Sequence, residues 1–370
     1  MAPVRVAFDT GPLYGPRTGI GHAVAALREA LAARTDVAVQ PYLLSFRATP
    51  EPPTVRLPLP AAAAQRLWAR TTHPRADRWL PGAEVVHGTN YVLPPTRLPC
   101  LVSVYDCWFL RHPAQASPAV RRAGAVLRAS IGRGAVVHVS SDATRRAVEE
   151  FFPLARVRMV HLGALPLPEA GEPVGALDGA PFVLAVGTLE RRKNLPRLVK
   201  AFGAVAADRA DLRLVLAGGN GDDAAAVRDA VDTLGPQLAP RVLFTGRVSE
   251  GTRGWLLRHA AVLAYPSLDE GFGFPLLDGF QAGVPVVAST AGSIPEVAGD
   301  AALLCPADDV DGLAAALSTA LDDDALRQRL TTAGHERWPR FTWPDCAAEM
   351  ASLYRGLRDG DLDTLEEGSA

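Results

Sequence analysis

Long apolar runs are missing from this sequence. No stretch approaches the roughly 18 to 20 residues that a membrane span requires, and the opening "MAPVRVAFDT" lacks a basic segment followed by an apolar core. A cytoplasmic protein is the expectation. An excess of charge is missing too: 38 Lys and Arg stand against 40 Asp and Glu, a net charge of −2, so nothing global favours nucleic acid or another polyanion as partner. Any basic site must be local. Cysteine is scarce, and Cys100, Cys107, Cys305 and Cys346 never form a C-x-x-C pair, which argues against a disulfide framework and against a zinc site. The acidic run Asp322 to Asp324 opens a helical segment, where carboxylates suit the helix dipole, so no metal and no cofactor is expected.

What the chain does contain is a repeating order of strand and helix. At 370 residues it exceeds one hydrophobic core, and 48% hydrophobic with 21% charged residues is the balance of a soluble globular protein of two domains. Short β-branched runs bounded by turn residues read as buried strands: "VRVAFDT", "VAVQPYLL", "EVVHGTN", "CLVSVYD", "AVVHVSS" and "VRMVHLG" in the first half. "PFVLAVGTL", "LRLVLAGG", "RVLFTGRV", "AVLAYPS", "VPVVAST" and "AALLCP" repeat the scheme in the second. Helical segments rich in Ala, Leu and Arg separate them, so both halves should be doubly wound α/β domains with parallel sheets, facing each other across a cleft and binding ligands at the carboxyl ends of their strands. A Pro- and Gly-rich, aperiodic stretch from 162 to 182 parts the halves. The expected division is 1–165, a linker at 166–180, 181–345, and 346–370. That last part holds a helix, "WPDCAAEMASLYRGL", able to cross back to the first domain, and an acidic tail, "DGDLDTLEEGSA", expected to fray.

Chemistry concentrates in "YPSLDEGFGFPLLDGFQAGVPVVAST", Tyr265 to Thr290. "AVLAYPS" is a strand, Pro275 suits the first position of a helix, and Gly283 suits the position just past its end. Glu270 then lies in the loop at a strand's carboxyl end and Asp278 in the opening turns of the helix. Gly271 and Gly273, alternating with Phe272 and Phe274, let the backbone approach a ligand, and the N–H groups at the helix start favour an anion. Two carboxylates that accept from sugar hydroxyls, with an anion between them, describe a nucleotide-sugar. "GTLERRKN" adds Arg191, Arg192 and Lys193 at the end of this half's first strand, where a guanidinium grips phosphate in a fork and an ammonium adds a point charge. On the residues alone, an ordinary strand-to-helix turn and a solvated helix start stay open as alternatives.

The stretch resembles the E-x7-E region of the family 4 (group 1) retaining glycosyltransferases, enzymes of the GT-B fold with two Rossmann-like domains. Five further blocks fall in that family's order, "TGIGHAVAAL", "YDCWFLRHP", "VSSDATRRAV", "VGTLERRKNLPRLVKAF" and "GSIPEVAGDAALL", and the likeness runs from about residue 9 to residue 357. The resemblance implies a glycosyltransferase that moves a hexose from a GDP-mannose-like or UDP-sugar donor to a hydroxyl of a glycan, glycolipid or small molecule, with retention and without a metal. It implies that Glu270 contacts donor-sugar hydroxyls, that Asp278 binds the ribose, and that Arg192 and Lys193 hold the diphosphate as leaving group. Gly187, Thr188 and the Gly271 to Phe274 loop would line the donor site. The Gly19 to Gly21 turn would approach donor phosphates or acceptor, and Gly246, Arg247 and Val248 would give backbone contacts to the base.

Two positions depart from the pattern. Asp278 stands where the family usually has Glu, one methylene longer. The family's "HD" reads "YD" here, Tyr105 before Asp106, and a tyrosine hydroxyl donates a hydrogen bond but does not titrate near neutral pH. Either Tyr105 orients the substrate, or His87 in "HGTNY", close to Asn90, serves the acceptor side, or His87 is simply a strand-end histidine. The segment "RLWARTTHPRADRWL", 66–80, interleaves arginines with Trp68 and Trp79; it suits a peripheral contact with an anionic lipid surface, an ordinary Arg-rich surface, or an acceptor loop. The alternatives to a transferase are a non-catalytic nucleotide-sugar-binding protein and a GT-B epimerase or phosphorylase.

Overall fold

The computed structural model describes residues 2–15, 18–177 and 179–361. The acidic tail expected to fray lies, from 362 on, outside the described residues. The rest falls into two compact units: one runs to Gly163 and resumes at Phe341, and the other spans Ala164–Arg340.

The first unit is a seven-stranded parallel sheet: β1 Val4–Asp9, β2 Val37–Leu43, β3 Val55–Arg56, β4 Val85–Gly88, β5 Cys100–Val104, β6 Val136–Val139 and β7 Arg156–Met159, in the order β3-β2-β1-β4-β5-β6-β7. The second unit is a six-stranded parallel sheet: β8 Phe182–Val186, β9 Arg213–Ala217, β10 Val242–Phe244, β11 Val262–Tyr265, β12 Val286–Ser289 and β13 Ala302–Cys305, in the order β10-β9-β8-β11-β12-β13. Central strands such as β4, β6, β11 and β12 are buried at every position, which is why they read as unbroken apolar runs. The two-residue edge strand β3 was not among the expected strands, because two residues carry no period. In each sheet the strand order reverses once, between β1 and β4 and between β8 and β11. Chains leave these neighbours in opposite directions, so a crevice opens at their carboxyl ends.

Helices cover the faces by the usual amphipathic spacing. In Leu195–Ala206, Leu198, Val199, Phe202, Val205 and Ala206 are buried in one cluster with Leu214, Val262 and Leu317; each large side chain contributes on the order of 2 kcal/mol through burial. The helix Trp343–Asp359 belongs to the first unit and buries Met350, Leu353 and Tyr354. It is capped by the Thr342 hydroxyl, which accepts from Asp345 N at 3.1 Å. The units divide at 163/164 and 340/341 rather than at the expected 165/166 and 345/346. Residues 164–180 are laid along the second unit: Gly171 N donates to Gly251 O at 2.9 Å, and Gln281 Nε2 donates to Leu165 O at 2.9 Å. The aperiodic segment thus satisfies its backbone on the domain that follows it.

The Arg- and Trp-rich segment does not present its tryptophans together. Trp68, the last residue of the helix Ala61–Trp68, is fully buried with Ala76 and Leu80, and its indole donates to Pro74 O at 3.1 Å. Trp68 is a core residue and leaves that face to the arginines. Among the described residues, no helix is long and apolar enough to cross a membrane.

Candidate functional site

The crevice of the second unit is built by the chain leaving β8 and β11. After β8 the backbone makes a single turn of 3₁₀ helix, Arg191–Lys193, and Asn194 takes the left-handed conformation (φ 58°) that asparagine tolerates. The Asn194 amide pins this turn by donating to Pro266 O at 2.9 Å and Ala307 O at 2.7 Å. Leu268 N donates to Arg192 O at 2.7 Å, which fastens the loop after β11 to the turn after β8.

Glu270 sits between two cations. Arg192 Nη1 donates to its Oε2 at 2.5 Å and Lys193 Nζ to its Oε1 at 2.7 Å, with the three side chains 17%, 13% and 7% exposed for Arg192, Lys193 and Glu270. Burial pushes the Glu270 carboxyl up, but the charges of Arg192 and Lys193 outweigh it and hold it at about 2. Burial pushes Lys193 down and Glu270 resists it. The Lys193 ammonium also lies 4.8 Å from the centre of the Tyr265 ring and reaches its hydroxyl at 3.3 Å. Arg191 turns away to the exposed side, toward Asp223. Gly292 (φ 57°, in the left-handed region) presses on the Glu270 backbone, where a Cβ would lie 2.5 Å from Glu270 N. Only glycine fits there.

The helix Phe274–Ala282 starts after Gly273 (φ 104°), so Pro275 is its second residue, and Gly283 closes it in the left-handed conformation. The Phe272 and Phe274 rings meet edge to face at 5.4 Å. Asp278 is buried on this helix and is paired with Arg253 Nη1 at 2.7 Å through Oδ2; Arg253 in turn binds Glu250 at 3.1 Å. Burial raises the Asp278 carboxyl to about 6, with Arg253 opposing. Gly187 and Thr188 follow β8, Gly187 lying against the Lys193 stem. Gly246 (φ 66°), the exposed Arg247 and the half-buried Val248 follow β10, with the Arg247 stem beside Gly219. The structure therefore brings Glu270, Arg192 and Lys193 into contact and gives Asp278 a separate partner.

In the first unit several expectations are corrected. Gly19 and Gly21 lie in the first turn of the helix Gly19–Ala32 rather than in a turn before it, and Gly21 is buried. His87 is fully buried, with Nδ1 2.8 Å from Tyr354 OH and Nε2 2.8 Å from Ser103 Oγ, so both ring nitrogens are engaged inside the core and the acceptor-side role does not fall to it. Tyr105 is buried as well; burial drives its hydroxyl far above the ordinary tyrosine range, with a bond to Ser103 opposing, and it packs as a core residue instead of lining a crevice. Asp106 is half-buried and its Oδ1 accepts from Trp108 N at 3.2 Å. Asn90 stands in the loop after β4.

Residues 180–323 match the family described as Glycosyl transferases group 1, and the chain is 27% identical to O-antigen chain mannosyltransferase B of Escherichia coli over 96% of this chain and 100% of that one. The second unit of this chain carries a group 1 glycosyltransferase domain. It is also 33% identical to a phosphatidyl-myo-inositol mannosyltransferase of Mycolicibacterium smegmatis, over 52% of this chain and 51% of that one. Among solved structures, the glycosyltransferase resembles sucrose-phosphate synthase from Thermosynechococcus elongatus (TM-score 0.73, 22% identity, 97% of this chain and 100% of that one). It also resembles HepE from Anabaena, solved with UDP and glucose (TM-score 0.69, 15% identity, 95% of this chain and 100% of that one). These likenesses show the GT-B fold. Sequence reasoning passed over three residues of the glycosyltransferase's crevice: Arg253, Tyr265 and Gly292. Gly292 and Tyr265 had a signal, since Gly292 opens the block "GSIPEVAGDAALL" and Tyr265 the stretch that holds Glu270; Arg253 had none.

Proposed function

We propose that this glycosyltransferase moves a hexose, mannose or a close relative of it, from a nucleoside-diphosphate sugar to a hydroxyl of a glycan, glycolipid or small acceptor, retaining the anomeric configuration and using no metal. The observation that carries the reading is the Arg192–Glu270–Lys193 cluster at the reversal point between β8 and β11. The names of the relatives, two of them mannosyltransferases, support the sugar. In the reaction, the acceptor oxygen forms the new bond to the anomeric carbon on the face that the diphosphate leaves. The bond from that carbon to the phosphate oxygen breaks, and a phosphate oxygen takes the hydroxyl proton.

The developing charge on the diphosphate falls to Arg192 and Lys193, two cations fixed before substrate arrives, and to the amino end of the helix Phe274–Ala282; fixed charges of this kind are the largest contribution in many active sites. Glu270 keeps both cations aimed and offers its oxygens to sugar hydroxyls. Asp278, with Oδ2 on Arg253, offers Oδ1 to the ribose. The direct test is incubation with GDP-, UDP- and dTDP-sugars and a panel of acceptors, following release of nucleoside diphosphate; release with none of them overturns the reading. Because two side-chain cations supply the charge, transfer continues in excess EDTA, and strict dependence on a divalent ion removes the metal-free account.

Arg253 gives a second check. Arg253→Ala removes the charge that opposes burial at Asp278, so the carboxyl rises further above 6 and is protonated near neutral pH. Nucleoside-diphosphate affinity, read by calorimetry, falls about tenfold at pH 7, the worth of one charged hydrogen bond, and recovers toward pH 8.5. An unchanged affinity across that range takes Asp278 out of the donor site.

A further inference from the structure

The helix Glu250–His259, which carries Arg253, is a weak helix by composition. Gly254 in its interior costs about 1 kcal/mol against alanine, and Gly251 adds to that. Its buried leucines, Leu256 and Leu257, both lie in the second half. The first half, with Arg253, has no buried apolar side chain, so something outside the helix must hold it.

The segment 165–171 does this. It has no regular secondary structure and lies on the helix backbone to backbone. A Cβ at Gly254 would lie 2.5 Å from both Pro168 O and Glu169 O, and one at Gly251 would lie 3.2 Å from Gly171 Cα. Gly171 N donates to Gly251 O at 2.9 Å, and Arg258 Nη1 donates to Pro168 O and, at 3.1 Å, to Gly254 O. Positions 251, 254 and 258 recur at steps of three and four, so they share the face that the segment covers. Its other end is fixed on the helix Phe274–Ala282, where Gln281 Nε2 donates to Leu165 O at 2.9 Å and to Leu277 O at 3.3 Å. Gln281 stands one turn beyond Asp278. The segment is a strap across two helices.

Those two helices are also the ones that the Arg253–Asp278 pair joins, at 2.7 Å. A bond of that length weakens steeply once donor and acceptor part by more than about 0.5 Å, so the pair needs both helices held in place. The strap supplies that hold where apolar packing does not.

We propose that the strap 165–171 positions the donor site: it staples the two helices, keeps Arg253 on Asp278 and so sets nucleoside-diphosphate affinity. In this it rests on the reading of Asp278 as the ribose acceptor. Gly254, which lets the strap dock, and Gln281, which anchors it, act through Arg253 and are positioning residues.

The test is a double-mutant cycle on the full chain, read as GDP and UDP affinity by calorimetry at pH 7 and pH 8.5. Gly254→Ala drives a methyl against the two strap carbonyls and lowers affinity at pH 7 by as much as the roughly tenfold expected of Arg253→Ala. In an Arg253→Ala background the same change has no further effect. The loss shrinks toward pH 8.5, because burial raises the Asp278 carboxyl once its counter-charge withdraws, and a mere loosening of the fold does not follow that profile. Glu250, beside Arg253, pushes the carboxyl the same way as burial, and His335 lies next to Gly283 past the end of the helix. Gln281→Leu leaves the backbone alone and repeats the pattern with a smaller loss; it carries the cycle if Gly254→Ala does not fold. Additive losses in the double variants, equal losses at the two pH values, or wild-type affinity in both strap variants overturn the proposal and leave the ribose reading standing. Wild-type affinity in Arg253→Ala itself overturns that reading, and the proposal with it.

Discussion

Glu270→Gln lowers sugar transfer by about 10³-fold and, at the same time, leaves nucleoside-diphosphate binding intact or tighter. The two halves of this result have one cause. In the unliganded enzyme the Glu270 carboxylate is the counter-charge of Arg192 and Lys193, at 2.5 and 2.7 Å. The amide keeps the shape and removes the charge, so two adjacent, largely buried cations face each other. That costs about 2–4 kcal/mol, less than for a fully enclosed pair because both cations keep some contact with water. A diphosphate relieves this repulsion, so the ligand-induced rise in melting temperature is larger in the variant than in the wild type. The reacting sugar, by contrast, loses the acceptor for its hydroxyls and the aim of both cations. Calorimetry with UDP and GDP, beside a transfer assay, reads the two effects separately. Wild-type turnover, or nucleotide binding lost together with turnover, contradicts the assignment. The carboxyl, at about 2, stays ionised at any working pH; its stabilisation is present above the ordinary 4.5 and is lost only as pH falls through about 2.

Much of this was legible in the chain. Twelve of the strands stand where unbroken β-branched runs placed them, because strands buried on both faces need no alternation to be recognised. The chemistry of the second unit was legible because Glu270, Arg192 and Lys193 belong to loops leaving two adjacent strands, each with its own short pattern. Arg253 was not. In "SEGTRGWLL" it reads as an exposed partner of Glu250 one helical turn back, and only the packing of the helix Glu250–His259 beside Phe274–Ala282 brings it to Asp278. His87 misled for the same reason: its strand-end position suggests a crevice, and the hydroxyl that occupies it, Tyr354, comes from 267 residues away. The strap depends on Gly171, Gly251 and Gly254 letting backbone meet backbone, which composition does not encode.

Ser103→Ala unfolds the first unit more readily than its loss of a single oxygen suggests, and the reason is a proton order that the geometry dictates. Val160 O can only accept, so His138 Nε2, at 3.2 Å, carries a proton and His138 Nδ1 is bare. Ser103 then gives its proton to that nitrogen at 2.8 Å, and must accept from His87 Nε2 at 2.8 Å. His87 Nδ1 is left to accept from Tyr354 OH at 2.8 Å, which ties the helix Trp343–Asp359 to β4. The Tyr105 hydroxyl, also tied to Ser103, then donates to the second lone pair of the Ser103 oxygen. Removing the Ser103 hydroxyl orphans buried donors and a buried acceptor, about 2–5 kcal/mol together, whereas Tyr354→Phe orphans one acceptor and costs about 1–3 kcal/mol. The same order has no room for an added proton: burial pushes His87 well below 6.5 and His138 down to about 4. For a histidine lowered in this way, the stabilisation is complete above 6.5 and is lost as pH falls toward the folded value, about 3 kcal/mol for His138. Asp9, in the same unit, runs the other way, because a carboxyl raised to about 7 stabilises below 3.8 and loses that contribution as pH rises through 7. The wild type therefore shows a muted slope between pH 7 and 5. Asp9→Asn unmasks the histidines, and its urea midpoint drops steeply over that interval; a flat profile in this variant shows that the imidazoles titrate freely and that the chain from Tyr354 to Val160 is not ordered as drawn.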